Sequence, residues 1–197
     1  MPSTHQTQPE IGSDPAQNWY ALYCRYQHER AVAEMLSGKG FEVFLPLYSA
    51  IHRWKDRRKT VWLPLFPGYL FLRGGLTRQL QVVSTPGVVN VVGPHGHPEP
   101  IPQAEMDAVR RAVESRHAIQ PYPFLKSGDW VRVTDGPLVG IEAVLVREKS
   151  LHRLVLSVEL LEKSVAVEIG AECVEPIKTR RRSADVGWAS MRIPVPA

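Results

Sequence analysis

The stretch Phe66-Pro67-Gly68-Tyr69-Leu70-Phe71 decides how the first half of the chain is read. Tyr69 to Leu72 has the composition of a short buried strand, and the Pro-Gly pair before it marks a turn. Phe66 and Tyr69, the aromatic residues at either end of that turn, have two readings. They fill a core, or they anchor a partner in a desolvated pocket, where aromatic side chains make good binding hot spots.

Working outward toward the N-terminus, Ile51 to Leu63 is basic and aromatic at once and reads as a β-hairpin. Phe41 to Tyr48 reads as one strand, with Pro46 favouring an edge position. Before it, Val32, Met35 and Leu36 share one helical face, Glu29, Arg30 and Glu34 lie outside it, and Gly40 is placed to end the helix. Trp19 to Tyr26 is aromatic and β-prone, a first strand. Toward the C-terminus, Leu76, Leu80 and Val83 have helical spacing and are closed by Ser84-Thr85-Pro86-Gly87. Val88 to Val92 is a strand. Pro102 sits where helices begin, and Met106, Val109 and Val113 then repeat at helical spacing. The alternation of strands and helices predicts one α+β layer fold over residues 18–116.

Beyond it the period changes. Residues 117–125 contain Pro121 and Pro123 without periodicity and read as a linker. Trp130–Val133, Ala143–Val146, Arg153–Val158 and Val165–Ile169 alternate with period two, which predicts a small all-β barrel over residues 126–177. Gly136 and Gly140 flank a tight return between its first two strands, where positive φ or close backbone approach is needed. Leu151 to Lys163 is the one ambiguous stretch, since its leucines also fit a helical face. Residues 1–17 read as a disordered leader and residues 178–197 as a basic disordered tail.

Charge divides along the same boundaries. Residues 18–120 hold 13 Lys and Arg against 8 Asp and Glu, while residues 126–177 hold 6 against 9. Modules with different partners are implied. The chain has no apolar run of membrane-spanning length and no secretory leader pattern, so no membrane association is expected. Cys24 and Cys173, without a Cys-x-x-Cys partner, suggest reduced thiols and a cytoplasmic protein. Cys24 beside Arg25 reads as a buried strand residue before it reads as an activated thiol. The sequence contains no phosphate-binding loop and no nucleophile motif. His95-Gly96-His97 lacks further metal ligands nearby. No catalytic activity, cofactor or metal is expected.

The ordered series of motifs resembles the bacterial NusG family of transcription elongation and antitermination factors. Phe66-Pro67-Gly68-Tyr69 is similar to the signature of that family's N-terminal NGN domain. Trp19-Tyr20, Thr85-Pro86-Gly87-Val88, Val91-Val92-Gly93 and Ile101-Pro102 with Glu105 follow its order. Gly128 to Ala143 resembles a KOW motif, the start of an SH3-like barrel, and Ser164 to Ile169 resembles the family's penultimate strand. The resemblance implies docking on the β′ clamp helices of RNA polymerase through Trp19, Tyr20, Phe66 and Tyr69. It places Arg53, Trp54, Lys55, Arg57, Arg58 and Lys59 near upstream or non-template DNA, where cations meet phosphates and Trp54 stacks on an unpaired base. It makes Leu160, Leu161, Glu162 and Lys163 the KOW loop for a second partner, Rho or the NusE-type ribosomal protein.

Leu161 and Glu162 stand where housekeeping members carry an aromatic residue and a glycine, which leans toward a specialised paralogue of the RfaH type. A housekeeping NusG and a KOW-type ribosome- or RNA-binding protein are the alternatives. RfaH-type proteins refold this domain between a helical hairpin and a barrel. The β-branched residues at period two and Pro137 predict a stable barrel here instead. A monomer is expected, with the barrel free on its linker and the polymerase surface open.

Overall fold

The structure is a computed structural model that describes residues 17–177 except 55–56, 75, 95–96, 116, 125–127 and 149–150. The elements of the first half are β1 (Trp19–Cys24), α1 (Glu29–Gly38), β2 (Glu42–Phe44), β3 (Leu47–Trp54), β4 (Arg57–Pro64) and β5 (Tyr69–Arg73). After these come α2 (Gln79–Val83), β6 (Val88–Val91), β7 (Pro100–Ile101) and α3 (Gln103–Glu114). The second half holds β8 (Ile119–Tyr122), β9 (Asp129–Val133), β10 (Glu142–Glu148), β11 (Leu151–Val158), β12 (Lys163–Ile169) and β13 (Val174–Pro176). The fold is α+β, with antiparallel pairing throughout.

The first sheet runs β2-β5-β1-β6, with β7 also paired to β1. Successive strand residues point to opposite faces, so the sheet sorts its apolar residues into two cores. Tyr20, Leu22, Cys24, Leu70 and Leu72 meet Val32 and Leu36 of α1 and Val82 of α2 on one face. Trp19, Ala21 and Phe71 meet Met106, Val109 and Ala112 of α3 on the other. Gly40, at φ +79°, turns the chain out of α1, and the Phe41 amide returns to the Leu36 carbonyl at 3.1 Å. The left-handed ending read from the sequence is present.

Four local expectations change. Glu29 does not lie outside the α1 face but is buried, because its carboxylate has a backbone partner described below. The face of α2 is set by Val82, which is buried, and Leu80 is 79% exposed. The helix is a single turn preceded by a 3-10 turn at Leu76–Arg78, too short for the longer periodicity to govern. The strand expected over Phe41 to Tyr48 breaks at Leu45-Pro46: β2 stays in the first sheet, and β3 pairs with β4 as a separate two-stranded hairpin. Finally, Ile119–Tyr122, read as linker, is β8, paired with β12.

The second sheet runs β13-β9-β10-β11-β12-β8. Val131, Val133, Ala143, Leu145, Leu154, Leu156, Val165 and Val167 alternate onto one face and join the cluster beneath α3. Val144, Val155 and Ala166 line up on the other face, closed over by Trp130 and Tyr122. The return between β9 and β10 uses both expected glycines, Gly136 at φ +82° and Gly140 at φ +83°, and buries Leu138 between them. The ambiguous stretch resolves as strand β11 followed by a 3-10 turn at Glu159–Leu161. Valine-rich alternation decides it, since β-branched residues fit the pleat better than the helix.

Candidate functional site

The Phe66–Tyr69 segment is a type II turn. The Tyr69 amide donates to the Phe66 carbonyl at 2.9 Å, Pro67 presets the first corner, and Gly68 takes φ +83° at the second. Two outside contacts fix it. The Gly68 amide donates to Glu29 Oε1 at 2.7 Å, and the Gly68 carbonyl accepts from the Cys24 amide at 2.8 Å. A buried carboxylate needs such a donor. Glu29 is therefore the residue that ties α1 to the turn.

The turn delivers its two aromatics to the α3 face of the sheet. Phe66 is 0% exposed and packs edge-on against Phe71, with ring centroids 5.5 Å apart. Tyr69 is half-buried beside Tyr23, at 5.3 Å. Burial, and then the neighbouring Tyr23, push the Tyr69 phenol above its ordinary range. Trp19 lies on the same face, edge-on to Phe44 at 6.4 Å, with the guanidinium groups of Arg73 and Arg110 at 5.9 and 5.5 Å from its ring. Tyr20 does not join them. As the next residue along β1 it points the other way, into the α1 core.

The β unit formed by β8 to β13 covers this face, contrary to the expectation of an open surface. The apolar cluster of Trp19, Phe66, Phe71 and α3 continues into Leu138, Leu156, Val158 and Leu161. Polar contacts frame it. Arg111 of α3 donates from Nε and Nη2 to the Pro137 carbonyl at 3.2 and 2.8 Å, and from Nη2 to the Val139 carbonyl at 2.8 Å. Glu105 accepts the Glu159 amide at 3.2 Å. The Lys163 ammonium lies 5.7 Å from the Tyr69 ring centre. Sequence reading misses Glu105 and Arg111 as contact residues, because on the sequence they are ordinary charges of an amphipathic helix.

The Leu160–Lys163 loop is turned toward the same contact. Leu161 is 8% exposed, Leu160 packs against the cluster, and Lys163 faces Tyr69. Glu162 is exposed and adopts φ +48°, the left-handed region that favours glycine.

The basic hairpin is a separate two-stranded sheet, and Tyr48 at its base packs against the cluster. Its backbone register sets Arg53 opposite Arg58 and Trp54 opposite Arg57, and Lys59 is exposed. Lys55 and the side chains of Arg53, Trp54, Arg57 and Arg58 lie outside the described residues. Arg30 of α1 donates to the Trp62 carbonyl at 2.7 Å and fastens the hairpin base. The Trp62 side chain is 58% exposed, so it does not pack inward. Cys24 is buried, and burial followed by the Glu29 charge raises its thiol to about 12. An activated thiol is the opposite of what the site provides. Among the described residues no group of three metal-ligating side chains occurs, and no helix is long and apolar enough to cross a membrane. His95 and Gly96 lie outside the described residues.

Known proteins place this geometry. The family model described as "Transcription termination factor nusG" matches residues 17–110. A relative from Thermus thermophilus, named "Transcription termination/antitermination protein NusG", is 30% identical over 142 residues, which cover 60% of this chain and 76% of the relative. The chain belongs to the NusG family. A NusG of the same name from Helicobacter pylori strain J99 is 26% identical over 173 residues, covering 81% of this chain and 98% of the relative. The solved structure titled "Domain interaction in Thermotoga maritima NusG" shares the fold at TM-score 0.51 and 21% identity, over 82% of this chain and 97% of that one. NusG proteins are transcription factors without enzymatic activity, and this chain is a transcription factor of that kind.

Proposed function

We propose that this NusG-family chain binds RNA polymerase through the face that carries Phe66, Tyr69 and Trp19, and promotes processive elongation or antitermination. The observation that carries the reading is the turn itself. Glu29 and Cys24 hold it rigid from two sides, and it aims two aromatics at a face that α3 and the β unit cover together. Rigid aromatic anchors lose little entropy on binding, which makes such a face a partner site once uncovered. The partner surface is the β′ clamp helices.

Covering by the β unit supports a specialised factor that is closed at rest. The Leu160–Lys163 loop is turned into the same contact, so docking of Rho or a NusE-type ribosomal protein there competes with closure. The closed contact disfavours the alternative of a housekeeping NusG with both surfaces free. The basic hairpin, a two-stranded sheet of its own, reaches upstream or non-template DNA once the factor is seated. The affinity of the Tyr69→Ala chain for RNA polymerase tests the docking assignment. Truncating a hot-spot aromatic typically costs ~2 kcal/mol or more, so a loss of at least roughly tenfold is expected with the circular dichroism spectrum preserved. Unchanged affinity in the folded variant overturns it.

A further inference from the structure

Strand β8 enters the second sheet out of order. The strands β9, β10, β11 and β12 follow one another as a meander, with β13 beside β9, while β8 adds to the outer edge of β12. Its register sets Ile119, Gln120, Pro121 and Tyr122 opposite Val167, Ala166, Val165 and Ser164. The Glu168 amide donates to the Ala118 carbonyl at 3.0 Å. Hydrogen-bonded and non-bonded pairs alternate along an antiparallel ladder, so the bonded pairs are Ala118–Glu168, Gln120–Ala166 and Tyr122–Ser164. Pro121 falls on a non-bonded position and faces its missing donor to the open edge, the place where a proline is tolerated and stops further pairing.

The strand buries little. Gln120 and Pro121 are exposed, and only Ile119 and Tyr122 are partly buried against the two clusters. Strands with few buried apolar side chains open at low cost. Removing β8 also leaves the five other strands joined in their own order.

Its position controls how far the β unit can move. The chain between the end of α3 at Glu114 and the start of β8 at Ile119 is residues 115–118. Fully extended, that reaches at most about 17 Å, and part of the reach is already used to arrive at β8. A β unit pivoting so close to α3 stays beside the face it covers, and one helix of a partner is about 10 Å thick. With β8 released, the tether runs from Glu114 to Asp129 and reaches about 50 Å.

We propose that β8 is a detachable strand: paired on β12 it holds the β unit against the α3 face, and peeled from β12 it becomes the tether that lets the unit leave. The proposal deepens the closed-factor reading above and rests on it for its consequence, whereas its test is read on the chain alone. Two full-length variants are made in a Cys24→Ala, Cys173→Ser background. In the first, Gln120→Pro removes a ladder donor without touching β12 or the N-terminal face. In the second, Gln120→Cys with Ala166→Cys crosslinks β8 to β12 at a pair whose Cα separation of about 5.5 Å suits a disulfide. Amide exchange and nitrogen-15 relaxation are measured by NMR. The expected result for Gln120→Pro is faster exchange of the Ser164, Ala166 and Glu168 amides, with the two halves tumbling as separate bodies. The oxidised crosslinked chain is expected to tumble as one body. A Gln120→Pro chain that shows the faster exchange yet still tumbles as one body overturns the proposal, and so does an oxidised chain that tumbles as two.

Discussion

Glu29, on the first turn of α1, accepts the amide of Gly68 at 2.7 Å and is itself buried. One carboxylate thereby ties the start of a helix to the turn that presents Phe66 and Tyr69. The turn depends equally on Gly68, whose φ of +83° suits glycine and whose added Cβ would sit 3.2 Å from Tyr23 Cε2. Gly68→Ala is expected to destabilise the chain by about 1–2 kcal/mol, the cost of a left-handed non-glycine residue, measured by urea unfolding. A variant as stable as the parent would show that the turn is not held in this conformation.

Glu162 is the converse case, a non-glycine residue at φ +48°. Glu162→Gly relieves that strain at some entropic cost, and a net gain of about 0.5–1 kcal/mol is expected. The check is the shift in thermal midpoint. A loss of stability would show that the Glu162 side chain contributes more than its backbone costs.

Cys24 and Cys173 differ in exposure. Burial holds the Cys24 thiol at about 12, against an ordinary value of 9.0, so the folded chain keeps a proton that the unfolded chain releases. This contribution to stability is complete below pH 9 and is lost as pH rises toward 12. At pH 8 a thiol reagent is expected to label Cys173, which is partly exposed, well before Cys24. Rapid labelling of both under native conditions would contradict the buried, protonated state of Cys24.

The fold class is legible in the sequence because its signals are local. Alternation marks β9 to β12, Gly136 and Gly140 mark the return between β9 and β10, and Gly40 marks the end of α1. The Phe66–Tyr69 turn is legible for the same reason, as a Pro-Gly pair between aromatics. Tyr20 falls on the face away from Trp19 because the pleat sends neighbours to opposite sides, which a resemblance carried by a dipeptide does not register. Strand β8 is hidden by Pro121, a linker signal in sequence although a proline at a non-bonded edge position leaves the ladder intact. The closed contact is not legible at all. Arg111 and Pro137, or Glu105 and Glu159, are far apart in sequence, and only tertiary packing brings them together.

The basic hairpin gives a salt-dependent expectation. Replacing Arg57, Arg58 and Lys59 with Gln should weaken binding to an elongation complex more at low salt than at high salt. It should also flatten the dependence of log affinity on log salt by about 0.9 for each phosphate no longer neutralised. A reduction of equal size at every salt concentration would argue against phosphate binding by the hairpin.

The most direct test of the closed-factor account is the affinity of full-length chain for RNA polymerase before and after Glu159→Pro. Glu159 begins a 3-10 turn after Val158 in extended backbone, where a proline is tolerated, and the substitution removes the amide that bonds Glu105 together with the Glu159 carboxylate. It leaves Trp19, Phe66 and Tyr69 untouched. A hydrogen bond to a charged acceptor is worth about 1.5 kcal/mol or more, and an exposed one less. Loosening the cover should therefore raise polymerase affinity by roughly three- to tenfold. An affinity that stays the same or falls, in a variant that keeps its strand signature, would contradict the claim that the β unit covers the polymerase site.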